Sequence, residues 1–214
     1  MPGVTMNRFV MATVCLLLAA TCRTPSFGDE QGQLAVAGSG EQATGDTFPD
    51  RAKWAQAARI DAWTAWVKKQ NSKLTDVEVR LIVESVLYYS YRLEIDHRLA
   101  FAMIKAESNF DPRCSCGGAV GLTQLMNSTA RGLGVEDRTD IRQSVMGGLT
   151  YLAKYLYEYQ DRSNLEQTRL GLACYNAGPV AVKRAGGVPD NGVTPKYVTR
   201  VCDLFLKLHR DGMP

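Results

Sequence analysis

The sequence predicts an all-α, or mainly α, single domain that begins at Arg51 behind a leader and a flexible linker. Three observations carry this. From Arg51 onward the apolar residues recur at helical spacing almost everywhere. No run of about four to eight residues alternates apolar and polar as a half-buried strand does. Two helix starts are marked by their chemistry. Asp140 stands before Ile141, Val145, Leu149 and Leu152, and Thr194-Pro195 supplies an N-cap and a first-turn proline before Val198, Val201, Cys202 and Phe205.

In chain order, Arg8 precedes an apolar run from Phe9 to Ala20 that is too short to span a bilayer. Residues 1–28 therefore read as a signal peptide that sends the chain to the periplasm. Cleavage falls after Gly28, or just before Cys22, where Ala19-Ala20-Thr21-Cys22 resembles a lipoprotein signal that would anchor the chain at that cysteine. Residues 29–50 are small, polar and glycine-rich, bury too little surface to fold, and read as a linker. Residues 51–214 form the domain, with helices expected near 52–70, 76–93, 97–109, 122–132, 141–160, 167–177 and 195–209. There is no internal repeat.

The 214 residues carry a net charge of +3, of which residues 1–28 hold +2 and residues 29–50 hold −5, leaving +6 on the body. A moderately basic body suits an acidic polymer or surface and speeds encounter. It lacks the clustered Lys and Arg interleaved with aromatics that nucleic-acid binding calls for. Metal chemistry finds no ligand spacing, because the histidines are His97 and His209 and no Cys-x-x-Cys occurs. No cofactor is expected, and a Ser-His-Asp or Cys-His enzyme is equally unsupported.

The sharpest local feature is a carboxylate at the edge of an apolar stripe. With Asp96 as N-cap, Leu99, Met103, Ala106 and Phe110 line one face of a helix, and Glu107 falls at its margin, beside Met103 and Ala100 and away from Lys105. A carboxyl held among apolar groups loses solvation of its charged form, so its pKa rises and it can stay protonated as a general acid near neutral pH. Pro112 ends the helix within about a turn, which puts Glu107 at an end, where clefts form. The competing reading is a glutamate that reaches sideways to Arg113 or to water.

Around this acid lie Gly117, Gly118 and Gly121, which permit a close backbone approach, then Gln124. Farther on, Tyr175-Asn176-Ala177-Gly178 closes one helix, and Thr194-Pro195-Lys196-Tyr197-Val198 opens the last. Taken together, Glu107-Ser108-x-Phe110-Asp111-Pro112, Gly118-Ala119-x-Gly121-Leu122-x-Gln124-Leu125-Met126, Tyr175-Asn-Ala-Gly178 and Tyr197-Val198 closely resemble the lysozyme-like lytic transglycosylases of the soluble Slt type. The resemblance covers roughly residues 75–205.

That resemblance implies a lysozyme-like catalytic domain in which Glu107 is the single acid/base. It implies that Ser108, Ser115, Gly118, Gln124, Met126, Tyr175, Asn176 and Tyr197 contact or border the sugar. The implied reaction is non-hydrolytic cleavage between N-acetylmuramic acid and N-acetylglucosamine, leaving 1,6-anhydro ends, with Glu107 as acid and then base. Substrate assistance by the N-acetyl group removes the need for the second carboxylate of ordinary glycosidases. The implied partner is the glycan strand of peptidoglycan, attacked by a monomer alone or within a wall-spanning secretion or pilus complex. A goose-type lysozyme hydrolase and a catalytically idle wall-binding module remain alternatives. Departures from the family pattern are Thr123 for methionine, Asn127 for proline, His97 for proline and Cys174 for alanine. The turn after Pro112 is also about one residue short, so the family's loop serine corresponds to Ser115 or is lost to Cys116.

Export leaves Cys114, Cys116, Cys174 and Cys202, an even set in an oxidising compartment. Cys114 and Cys116 are too close to bridge each other without strain, so each is expected to reach Cys174 or Cys202, in an order the spacing leaves open. Such bridges would contribute on the order of 4 kcal/mol each, and the one to Cys174 would tie the turn after Glu107 to the helix bearing Tyr175. The alternative is that Cys174 and Cys202 are buried as small apolar side chains.

Overall fold

The computed structural model describes Phe48 and residues 51–214. The expected signal peptide, and the expected linker apart from Phe48, lie outside the described residues. The described residues form nine helices and one small hairpin. In order these are α1 (Arg51–Trp54), α2 (Ala57–Gln70), α3 (Asp76–Leu93), α4 (His97–Ser108), β1 (Ser115–Cys116), β2 (Ala119–Val120), α5 (Asn127–Gly132), α6 (Ile141–Glu158), α7 (Asn164–Ala177), α8 (Pro179–Ala185) and α9 (Thr194–Arg210). The strands pair antiparallel, with Ser115 opposite Val120 and Cys116 opposite Ala119.

The mainly α architecture is the expected one, and its principal starts are chemical. A capping box opens α3: the Thr75 hydroxyl accepts from the Glu78 N–H at 3.2 Å, and the Glu78 carboxylate accepts from the Thr75 N–H at 2.8 Å. Asp96 caps α4 by accepting from Arg98 N–H, and Asp140 caps α6 by accepting from Gln143 N–H.

Helix α4 is buried nearly all round, from Leu99 through Ile104, rather than along one stripe. Helix α3 packs on one side of it and α9 on another. The α9 contact is antiparallel: Arg200 near the start of α9 meets Ala106 at the end of α4, and His97 at the start of α4 donates to the carbonyl of Pro214 beyond α9 at 2.6 Å. Trp63 stacks on Phe101 at 3.9 Å and also donates to Pro214, at 2.8 Å. His97, which stands where the family pattern has proline, thus anchors the segment after α9.

The end of α4 is a left-handed turn. Asn109 and Phe110 have φ of 53° and 63°, so the chain reverses before Pro112 acts. Left-handed backbone costs about 1–2 kcal/mol for a residue with a Cβ. Complete burial of Phe110, against Trp66 at 5.6 Å and Phe101 at 6.4 Å, contributes about 1.5–3 kcal/mol, enough to hold the turn.

Several boundaries differ from expectation. The helix expected over 52–70 breaks at Ala55–Gln56. The one expected over 122–132 starts only at Asn127, because residues 121–124 form a turn with Gln124 at φ 48°. Helix α8 and the hairpin were not anticipated, since neither is long enough to show a period. Thr194 is not an N-cap: it is the first residue of α9, and its hydroxyl is engaged elsewhere. Phe48, placed by composition in the linker, is 6% exposed and packs on Tyr88 and Trp54 beneath the Arg142 guanidinium.

Candidate active site

Glu107 occupies the last turn of α4, where the buried core of that helix gives way to solvent, and its side chain is half-buried. Burial pushes its pKa up to about 7, against smaller downward pulls from the Tyr197 hydroxyl and the Arg200 guanidinium. Tyr197 is buried, and its hydroxyl faces this carboxyl in a geometry short of a well-formed hydrogen bond, so it lacks a full partner. Tyr175, on α7, faces the same carboxyl and donates to the carbonyl of Thr123 at 2.7 Å. Burial raises both tyrosines well above their ordinary pKa, which keeps them as neutral donors. Tyr151 packs edge-on behind Tyr175 at 5.5 Å.

Arg113, the competing partner suggested by the sequence, bonds instead to Glu78 at 2.7 Å and also approaches Asp111 at 3.8 Å. The cation beside Glu107 is Arg200, which donates to the Ala106 carbonyl at 3.1 Å. Sequence reasoning missed it, although it lies one helical turn beyond Tyr197 and so shares its face.

The wall opposite is the segment 113–126, held in place from α6. Gly147 and Gly148 receive it: a Cβ on Gly148 would lie 2.4–2.6 Å from the Thr123 side chain, and one on Gly147 would lie 2.9 Å from the Leu125 side chain. Thr123 is fully buried and donates to the Ser144 carbonyl at 2.7 Å. A small hydroxyl residue rather than methionine at this position matches the double glycine it meets. Gly121, at φ 87°, passes so close to Arg138 that a Cβ would sit 1.8 Å from its carbonyl oxygen. The Arg138 guanidinium in turn bonds the carbonyls of Gly118 at 2.9 Å and Leu125 at 3.0 Å.

Of the sequence-expected residues, Glu107, Tyr175 and Tyr197 come together. Asn176 is the next residue of α7 and is joined to α9 by a hydrogen bond from Thr194 at 2.9 Å. Gln124 directs its amide nitrogen at the carbonyls of Gly121 (2.8 Å) and Cys114 (3.0 Å), bracing the turn. Ser108 is buried, and its hydroxyl donates to the Leu122 carbonyl at 2.7 Å, fastening the end of α4 to that wall. Ser115, Gly118 and Met126 sit exposed on the rim, Met126 being 50% exposed and close over Gly118.

The expected disulfides are not formed: Cys114, Cys116, Cys174 and Cys202 are all free thiols. The reason is placement. Cys174 is fully buried on the side of α7 that faces the end of α6, where its thiol donates to the Tyr159 hydroxyl at 3.8 Å. Cys202 lies on α9 near Arg169 of α7, whereas Cys114 and Cys116 belong to the hairpin wall, with Cys116 exposed. The alternative reading, small apolar side chains, describes Cys174.

No described helix is long and apolar enough to cross a membrane. The transglycosylase SLT domain family model matches residues 84–195, just over half of the chain, ending two residues before Tyr197. The membrane-bound lytic murein transglycosylase F of Alcanivorax borkumensis is 40% identical over 105 residues, a span that is 45% of this chain and 22% of that relative. Its counterpart in Klebsiella pneumoniae is 39% identical over 94 residues (43% and 18%), and that of Vibrio cholerae 38% over 104 residues (48% and 20%). The chain spans about a fifth of the length of these curated relatives. A matched segment that carries Glu107, the glycine-rich wall and the Tyr175-Asn176 pair, set in a mainly α fold, leads to one conclusion: the chain belongs to the transglycosylase SLT domain family.

Proposed function

We propose that the chain is a peptidoglycan lytic transglycosylase that cleaves the β-1,4 bond between N-acetylmuramic acid and N-acetylglucosamine without water. The observation that carries this is Glu107, a half-buried carboxyl at the end of α4 whose proton is held to about pH 7, set against two buried tyrosines and one arginine. Such a group is populated both as acid and as base under neutral conditions, which one residue in two successive roles requires.

In the first step Glu107 gives its proton to the bridging oxygen, and the departing sugar leaves with it. The substrate's own N-acetyl oxygen stabilises the cationic anomeric carbon. The resulting carboxylate is favoured by the Arg200 guanidinium and the Tyr197 hydroxyl, the same two groups that pull the acid's pKa down. It then takes the proton of the 6-hydroxyl as that oxygen bonds to the anomeric carbon, closing the 1,6-anhydro ring and restoring the acid. Asp111 is not a second carboxylate for this site, since it accepts from the Arg113 N–H at 3.0 Å within the turn after α4.

In this reading Met126, Gly118 and Ser115 form the rim over which the strand lies, and Gln124 and Ser108 shape it. The exported chain works in the periplasm as a monomer on glycan strands. Digestion of purified peptidoglycan followed by mass spectrometry tests the proposal. Muropeptides lighter by one water than hydrolytic products are expected. Hydrolytic products would make the chain a lysozyme-type hydrolase, and an undigested wall with folded protein bound would make it a binding module.

A further inference from the structure

A chain of side-chain hydrogen bonds runs from the loop before α9 to the residue next to Tyr175. The Asn191 Oδ1 accepts from two backbone N–H groups, those of Val193 at 3.1 Å and Thr194 at 2.7 Å. A backbone N–H can only donate, so this end of the Asn191 amide is its oxygen and the other end its nitrogen. That nitrogen lies 2.9 Å from the Thr194 hydroxyl oxygen and donates to it. The Thr194 hydroxyl has one proton and is fully buried, and an unspent buried donor is costly. Its proton goes to the side-chain amide of Asn176, 2.9 Å away. The end of Asn176 that faces Thr194 is therefore its carbonyl oxygen. The amide nitrogen, with two N–H groups, is turned away from Thr194 on a residue that is itself exposed.

We propose that Asn191 and Thr194 are positioning residues that orient Asn176, and that Asn176 serves as a hydrogen-bond donor to an acceptor oxygen, hydroxyl or carbonyl, of the saccharide. The inference rests on the reading of this site as a glycan site and adds to it a direction. The same amide turned the other way would instead accept from a sugar N–H or O–H. The direction is set by two backbone N–H groups, those of Val193 and Thr194.

Four substitutions separate these possibilities. Thr194→Val keeps the shape and removes the proton. Thr194→Ser keeps the proton. Asn191→Asp keeps the acceptor for both backbone N–H groups but replaces the donor with a second acceptor, which draws the Thr194 proton to itself and away from Asn176. Asn176→Asp is nearly isosteric and can only accept. Binding of a soluble tetrasaccharide of alternating N-acetylglucosamine and N-acetylmuramic acid is measured by calorimetry in a Glu107→Gln background, and KM and kcat are measured with Glu107 intact. Thr194→Val and Asn191→Asp are expected to weaken binding roughly three- to tenfold, Asn176→Asp at least as much, and Thr194→Ser to restore it. The loss should appear in KM, with kcat changed less than twofold.

Unweakened binding by Asn176→Asp would show that Asn176 donates no bond to the saccharide and would overturn the proposal. A lowered melting temperature in Thr194→Val with KM unchanged would reduce the chain of bonds to a structural role and overturn the positioning. Failure of the Glu107→Gln parent to bind the saccharide at all would overturn the glycan reading of the site, and this inference with it.

Discussion

The Arg200 guanidinium donates to the main-chain carbonyl of Ala106 at 3.1 Å, one residue before Glu107. Ala106 is among the last four residues of α4, whose carbonyls have no partner within the helix, and a cation there also answers the negative end of the helix dipole. One side chain thus closes the end of the helix and sets a positive charge beside the acid it carries.

Replacing Arg200 should therefore shift the pH profile. The groups facing Glu107 are Tyr197 and Arg200 from α9, Tyr175 from α7 and Cys114 from the hairpin wall. A positive neighbour favours the carboxylate, so Arg200→Gln raises the Glu107 pKa above about 7 and moves the alkaline limb of kcat/KM to higher pH. Arg200→Lys keeps the limb near its original place. A limb that does not move in Arg200→Gln would assign it to another group.

Glu107→Gln should abolish lysis while strengthening the fold. Loss of general acid catalysis costs on the order of 10²–10⁴ in rate. The folded pKa of about 7 lies above the ordinary 4.5, so the ionised form is disfavoured in the folded state. Wild-type stability therefore falls as pH rises from about 4.5 to about 7, by up to about 3 kcal/mol, and the glutamine variant is spared this. Denaturant titrations should show the two proteins equal near pH 4 and the variant more stable at pH 8. Equal stability at both values would mean that the acid is not held in its protonated form.

Tyr175→Phe and Gln124→Ala should slow turnover less than loss of Glu107 does, because they remove hydrogen bonds to the Thr123, Gly121 and Cys114 carbonyls rather than the transferred proton. A folded Tyr175→Phe protein as inactive as Glu107→Gln would require a second proton-transfer group.

Gly121→Ala should be among the most damaging single-methyl changes. The added carbon meets the Arg138 carbonyl at 1.8 Å, and φ of 87° is unfavourable for alanine. A loss on the order of 2–4 kcal/mol is expected, read as a drop in melting temperature, with glycan turnover lost alongside it. Gly117→Ala, where nothing lies within 4 Å of the new carbon, should cost much less, and equal losses would contradict the close approach.

Thiol titration of purified protein comprising residues 51–214 should count four free groups. The exposed Cys116 should react first and the buried Cys174 last, and reductant should leave the melting temperature unchanged. A mapped Cys174 bridge would contradict the placement described for α7.

Much of the helical frame was legible because helical spacing and its caps are local: Asp96 and Asp140 stand where their helices begin, although α4 is buried nearly all round rather than along the expected stripe. The raised pKa of Glu107 was legible for the same reason, as a charge at the edge of an apolar stretch, whereas its role as the acid rests on the resemblance. What escaped the sequence is what depends on distant chain. The Arg200 contact joins residues 94 positions apart in sequence, and the Tyr175 to Thr123 bond spans 52. The turn at Gln124 resembled the start of a helix because a left-handed residue without glycine carries no compositional mark. The cysteines misled because an even count, even in a chain expected to be exported, says nothing about which way each helix face turns.

The antiparallel pairing of α4 with α9 also bears on when the site comes into being. Glu107 emerges from synthesis roughly ninety residues before Tyr197 and Arg200, and until the last helix docks the acid has neither its hydroxyl nor its cation. A nascent or truncated chain ending before α9 would carry the glutamate but not its tuned setting. The glutamate acquires that setting only when the final helix is in place.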